Sequence, residues 1–285
     1  MRNRSGSPSY RAIFRFTATR LTVAVIALLT VAVSCSAPVS STGVVSYPGA
    51  AALNVNAGTF SVVVRGSDNA GIVIVPEAVP DGFTIVHEMV NDTVHVRVKK
   101  PIGFLRTPTN ARIVILVPRG TLITTSGTVG SVTVTGISSE RIAVQTSTGA
   151  VRITESSGTI AVTTSDATVD IEDVRGAVEV RTGNANVEFT GFRGSAAVTT
   201  SGGAITASRV ALAADSTFRS GTGDIDVTLQ NGFDSIRFVL NSSRGVLRVG
   251  GNTASRSLTY GTGPITIEGH SSGGNVFFRR ETDVQ

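Results

Sequence analysis

One cysteine, Cys35, stands in 285 residues. No disulfide can therefore form within the chain, and its core must hold by packing and hydrogen bonding alone. Tryptophan is absent, and histidine occurs only at His87, His95 and His270. A zinc site takes three or four ligands. His87 and His95 flank a candidate turn, with Glu88 and Asp92 nearby, but no thiol can join them, so no metal or cofactor is expected. Hydrolase signatures such as Gly-x-Ser-x-Gly or His-Glu-x-x-His are missing. Stretches rich in Leu, Glu and Lys, the usual material of helices, are missing too.

A surplus of charge is also lacking once the first residues are set aside. The net charge of +5 equals the five arginines Arg2, Arg4, Arg11, Arg15 and Arg20. Beyond residue 35 there remain 25 − 5 = 20 Lys plus Arg against 20 Asp plus Glu. A formally neutral chain offers no basic surface for nucleic acid, so no nucleic-acid partner is expected. The apolar run from Leu21 to Val33 falls short of the roughly 20 residues that span a bilayer, and no longer run follows it.

What is present at the start reads as an export signal. Arginines without acids lead into the apolar run, which ends Ala32-Val33-Ser34-Cys35. This phrase resembles a lipobox, in which the chain is cut before the cysteine and the thiol is lipidated. Residues 1–34 are then a lipoprotein signal peptide, and residues 35–49 a lipid anchor and short linker. The lipid on Cys35 would hold an exported protein to the outer membrane or to the outer face of the cytoplasmic membrane.

The remainder is rich in Val, Thr, Ser, Gly and Ile and reads as all-β. Four units of 18 residues follow one another without a gap: ISSERIAVQTSTGAVRIT, ESSGTIAVTTSDATVDIE, DVRGAVEVRTGNANVEFT and GFRGSAAVTTSGGAITAS. Ile142, Ile160, Val178 and Ala196 form one apolar column, and Val144, Val162, Val180 and Val198 form another two residues on. A second pair of columns is Val151, Val169, Val187, Ile205 and Ile153, Ile171, Phe189, Ala207. Spacing by two puts each pair on one side of a strand. Thr146, Thr164, Thr182 and Thr200, followed by Gly149, Ala167, Ala185 and Gly203, read as turns between the two strands.

A fixed period of two strands and two turns predicts a β-solenoid of about eight coils, with equivalent side chains stacked in ladders. Looser copies extend it: Thr125-Ser126-Gly127 before, and phrases beginning at Ser220, Ser242 and Tyr260 after. Residues 119–270 are the repeat region. Residues 50–118 read as a β-rich cap or first coils, with strands at Val62–Val64, Ile72–Val75, Phe83–Val86, Val94–Val98 and Ile113–Val117, a hairpin turn at Asn91-Asp92 and a surface loop from Pro101 to Pro108. Residues 271–285 read as a charged capping tail.

The recurring Thr-Ser-Gly-x-(x)-Val-x-Val phrase, following Val117-Pro118-Arg119-Gly120, resembles the bacterial putative-adhesin family of β-strand-repeat proteins, related to the adhesin head domains called GIN. The resemblance covers roughly residues 50–270. It implies a right-handed β-solenoid at the cell envelope. It carries over no catalytic or ligand-binding residue.

Three functions compete. The first is a non-enzymatic envelope lipoprotein whose β surface binds an envelope protein or glycan. The second is a structural or sensory domain of an envelope-stress pathway. The third is a carbohydrate-active β-helix enzyme. For the third, Asp170 and Glu188 stack in neighbouring coils at a spacing near ~5 Å, as in retaining glycosidases, with Arg152 in the same ladder. Asp173, Arg175 and Arg193 share a turn, readable as a contact for an anionic glycan or as a solvated turn holding a weak ion pair. Gly221-Thr222-Gly223-Asp224-Ile225-Asp226 is similar to calcium-binding repeats, but the other coils lack its acids. Cys35→Ser should abolish lipid attachment and leave an uncut or mislocalised precursor. Metabolic labelling with a fatty acid checks this, and equal label on mutant and wild type would contradict it.

Overall fold

The computed structural model describes residues 39–41, 43–101, 103 and 110–283. The signal segment 1–34, Cys35 and most of the stretch from Pro101 to Pro108 lie outside the described residues. Among the described residues the helical segments are two three-residue turns, Phe233–Ser235 and Glu281–Asp283. The remainder is strand and turn, stacked as a β-solenoid.

One coil shows the logic of all. Along Arg175–Thr182, Val178, Val180 and Thr182 are buried, and Ala177, Glu179 and Arg181 are exposed. The shorter strand Val187–Thr190 buries Val187 and Phe189. Alternation sends every second side chain inward, and the two strands face each other across one apolar core. Successive coils pair in parallel, with one irregularity between Ser139 and Arg141: Val144 sits beside Val162, Val162 beside Val180, and Val180 beside Val198. All four are at most 2% exposed. On the second face Ile153, Ile171, Phe189 and Ala207 stack likewise.

The threonine column lies inside the wall. Thr146, Thr164, Thr182 and Thr200 are buried ends of the longer strand. The column continues through Ser220, Ser271 and Ser242. Each hydroxyl from Thr200 onward has two tasks. Thr200 Oγ1 donates to the Gly183 carbonyl of the neighbouring coil at 3.1 Å and accepts from the Gly203 N–H at 3.0 Å. Ser220, Ser271 and Ser242 accept from Gly223, Gly274 and Gly245 and donate to Gly203, Gly223 and Gly274. The turn is thereby closed locally and fastened to the next layer. Thr125 does not belong to this column, contrary to its Thr-Ser-Gly phrase. It pairs with Val55 and Val144 in the valine ladder. The column position in this coil is held by Gly127, which stands five residues before Val132 as Thr146 stands five before Val151, so Thr125 falls two residues short of it. Its hydroxyl is buried without a partner.

The opposite corner is built from backbone conformation. Glu155, Asp173, Gly191 and Arg209 occupy equivalent positions with φ between 49° and 70°, and a buried residue follows each. Two residues later Gly158, Gly176 and Gly194 bend the chain into the long strand. Gly176 has φ +129°, and a Cβ there would fall 2.1 Å from the Gly158 carbonyl oxygen, so no larger residue fits.

Spatial order departs from chain order at both ends. Along the longer-strand face the layers run Thr93–Lys99, Ala52–Asn56, Leu122–Ser126, Ser138–Thr146, Ser157–Thr164, Arg175–Thr182, Arg193–Thr200, Ser216–Ser220, Ile265–Ser271 and Ile236–Val249. Eight layers thus come from Leu122 onward, as the repeat count expects, and residues 50–118 add two. The coil beginning at Ala52 is held between two later ones. The coil beginning at Ile265 slides between the layers of Ser216 and Ile236.

This insertion corrects three readings. Ser271, not Ser242, stacks on Ser220. Tyr260 opens no coil, because Asn252–Tyr260 folds back antiparallel on Ile236–Val249 as the true end cap. The supposed tail 271–285 contains Val276–Arg280, an interior strand between Ile225–Leu229 and Val249. Apolar pairing decides this: Val276 and Phe278 are fully buried.

At the other end the five expected strands are present, with Asn91 and Asp92 in the left-handed turn between two of them. The presumed linker is part of the cap. Val39–Ser41 and Val45–Pro48 add antiparallel to Thr84–Val90 and Gly71–Glu77. Antiparallel strands thus cover both ends, where an open coil would offer unpaired edges.

Two pairs of variants test the layering by urea midpoints. Val180→Asp should cost about 3–5 kcal/mol, because no partner reaches a charge there. The outward Glu179→Lys should cost under about 1 kcal/mol, and equal damage would refute the register. Thr200→Val, which strips the Gly203 N–H of its acceptor, should cost about 1–3 kcal/mol. Thr125→Val, which removes an unpaired hydroxyl from a valine ladder, should stabilise by about 1 kcal/mol. A loss at Thr125 as large as that at Thr200 would contradict the assignment.

Candidate functional site

The outward residues named from sequence separate into those already engaged and those left open. His87 and His95 share a hairpin but not a face. His87 pairs across from Val96, and His95 from Glu88. His87 is buried and shares a 2.6 Å hydrogen bond with the Tyr47 hydroxyl. Burial holds its pKa below the ordinary value and raises that of Tyr47, with Glu88 adding to the latter. His95 and His270 point outward. Among the described residues no group of three His, Cys, Asp or Glu could hold a metal ion.

The acids of the Gly221–Asp226 phrase serve the next coil. Asp224 accepts the Asn275 N–H at 2.7 Å, and Asp226 pairs with Arg279 at 2.6 Å. Asp170 and Glu188 do stack in register, but Arg152 holds Asp170 at 2.5 Å. Glu179 and Asp215 line one shallow groove together. Glu179 is engaged by Arg181 at 2.5 Å, and Asp215 accepts the Thr266 N–H at 2.7 Å. Each of the two carboxylates thus has a partner within the solenoid.

The corner predicted from Asp173, Arg175 and Arg193 is different. Those three residues line an open cleft of about 270 Å³ with Gly191, Arg209 and Gln230. The sequence columns missed Arg209 and Gln230, which lie past the last regular unit. The backbone explains the arrangement. The left-handed residue of each coil throws its side chain to the rim, the next residue is buried as an anchor, and the one after points out again. Val174, Phe192 and Val210 are those anchors, each at most 1% exposed, and Phe192 packs edge-on against Phe189 at 5.4 Å. The lack of a side chain at Gly191 leaves room over which the Asp173 carboxylate leans.

Arg175 and Arg193 are direct register partners on adjacent strands. Like charges set opposite each other destabilise a sheet. Some other arginines of the stack, Arg112, Arg152, Arg219 and Arg279 among them, have an acid within hydrogen-bonding reach. Arg175, Arg193 and Arg209 take part in none of the ion pairs among the described residues. With Asp173 alone opposing them, the cleft carries a formal charge of 3 − 1 = +2.

No curated protein matches this chain significantly. Among solved structures, a putative cell adhesion protein from Clostridium sporogenes aligns at 10% identity over 86% of this chain and 100% of its own, with a TM-score of 0.25. A putative adhesin from Bacteroides fragilis aligns at 13% identity over 84% and 98%, with a TM-score of 0.38. Both likenesses are remote. The family model described as Toastrack DUF4097 matches residues 53–266. That stretch takes in the solenoid from its Ala52 coil to the strand that begins at Ile265, well over half of the 285 residues, and the chain therefore belongs to the Toastrack family.

Proposed function

We propose that this protein is an exported envelope lipoprotein whose solenoid is an adhesin-like binding surface without catalytic activity. The observation that carries the reading is the division between wall and surface. Inward positions are mostly spent on packing and hydroxyl ladders. Outward positions present long rows of side chains at coil spacing, with shallow open recesses. Such a surface suits contact with an extended partner. The acids in those recesses are tied to structure or single, which favours binding over hydrolysis.

The cap supports the anchoring part of the reading. Val39 begins the outermost strand of one end, only four residues after Cys35. A chain reaches at most about 3.6 Å per residue, so a lipid on Cys35 would keep that end within roughly 14 Å of the membrane. The coils would then project outward.

Titration of the labelled mature domain onto isolated bacterial envelopes tests the proposal. Saturable binding that unlabelled protein displaces is expected, with no sugar released from envelope glycans. Absence of saturable binding would contradict the binding role and leave a spacer or sensory domain. Steady release of sugar fragments would restore the enzyme.

A further inference from the structure

The geometry points to the arginine corner as a binding site for an anionic glycan, a chain of sugars bearing carboxylate or sulfate groups. This rests on the reading of the solenoid as a binding surface and names what one part of it holds. The first argument is electrostatic. Two arginines in register and a third beside them repel one another, and the single carboxylate of Asp173 offsets only part of their charge. A guanidinium matches the two oxygens of a carboxylate or sulfate. An anion seated between Arg175 and Arg193 would turn a repulsion into two charge-assisted contacts.

The second argument is extent. The cleft crosses four successive layers, from Asp173 and Arg175 through Gly191 and Arg193 to Arg209 and Gln230. At about 4.8 Å per layer this is roughly 14 Å, much longer than one anion. A charged polymer lying along the solenoid axis would meet a cation on each of three layers.

The third argument is chemical variety. Asp173 and Gln230 offer an acceptor and an amide beside the arginines, which hydroxyl groups on a sugar can use. No aromatic side chain lines the cleft to stack a base, and the Asp173 carboxylate lies over Gly191.

The test is titration calorimetry of the mature domain with an eight-residue oligogalacturonate and a sulfated octasaccharide. A neutral maltooctaose, an eight-residue oligoglutamate and inorganic sulfate serve as comparisons. Binding of at least one acidic octasaccharide is expected, weakening as salt is added. The double variant Arg175→Gln/Arg193→Gln should weaken it at least tenfold, whereas Arg256→Gln, on the end hairpin, should leave it unchanged. The double variant should fold with an undiminished urea midpoint, because it removes a like-charge contact. Which acidic sugar binds identifies the acid group.

Undiminished binding by the double variant, equal binding of maltooctaose, or no binding of either acidic sugar would overturn the site. Oligoglutamate or inorganic sulfate binding as tightly as the sugars would overturn its assignment to a glycan. If acidic sugars fail while the envelope titration still saturates, only this site is refuted. If both fail, the binding-surface reading falls with it.

Discussion

A β-solenoid is held along its axis by backbone ladders, and its turns must be stacked as well as its strands. In this chain backbone bonds between turns, such as Gly183 N–H to the Ser165 carbonyl, share that work with a buried hydroxyl. From Thr200 through Ser220, Ser271 and Ser242, one oxygen per layer accepts the amide three residues on and donates to the carbonyl of an adjacent layer. A buried amide without an acceptor costs as much as a lost hydrogen bond. In these four layers the oxygen sits at that point and fixes where the strand ends, whereas the Thr146 hydroxyl is buried without a partner. Register follows, and with register the sorting of side chains into wall and surface.

The two ends show how an open repeat is finished. A simple stack would leave its first and last layers bounded by bare edges. Here the Ala52 coil is enclosed by layers made later in the chain, and the Ile265 coil enters beneath the Ile236 coil. Each terminal region is thus tied to residues far away in sequence. The outermost layers then receive antiparallel strands, which close the ladder without inviting another copy to add in parallel.

The regular middle was legible because its period is short and unbroken: equal spacing forces Val180 over Val162 whatever the details of the turn. Legibility failed where spacing changed. Thr125 looks like a member of the hydroxyl column, yet it stands two residues before the column position, which Gly127 fills, and so falls in the valine ladder. Ser242 and Tyr260 continue the phrase in sequence, but layers are chosen by apolar fit, and Phe278 finds Phe218 and Phe238 at 6.0 and 5.3 Å. No local pattern encodes that insertion. The arginine corner was half visible. Arg175 and Arg193 fall in one column, whereas Arg209 joins through a left-handed position that Glu155, Asp173 and Gly191 fill elsewhere.

The same regularity that builds the wall sets the surface. Because each corner repeats one backbone course, an outward residue is held at a fixed distance from its equivalent in the next layer, and a row of charges is a matter of composition alone. Everything in this account depends on the hydroxyl column being a structural bond and not an incidental polar lining. Native-state hydrogen exchange reads this directly at the amides of Gly203, Gly223 and Gly274. They lie in turns, yet the account predicts exchange as slow as that of the Val180 amide within the central strand. Exchange as fast as at Gly251, in the open turn of the end hairpin, would contradict it.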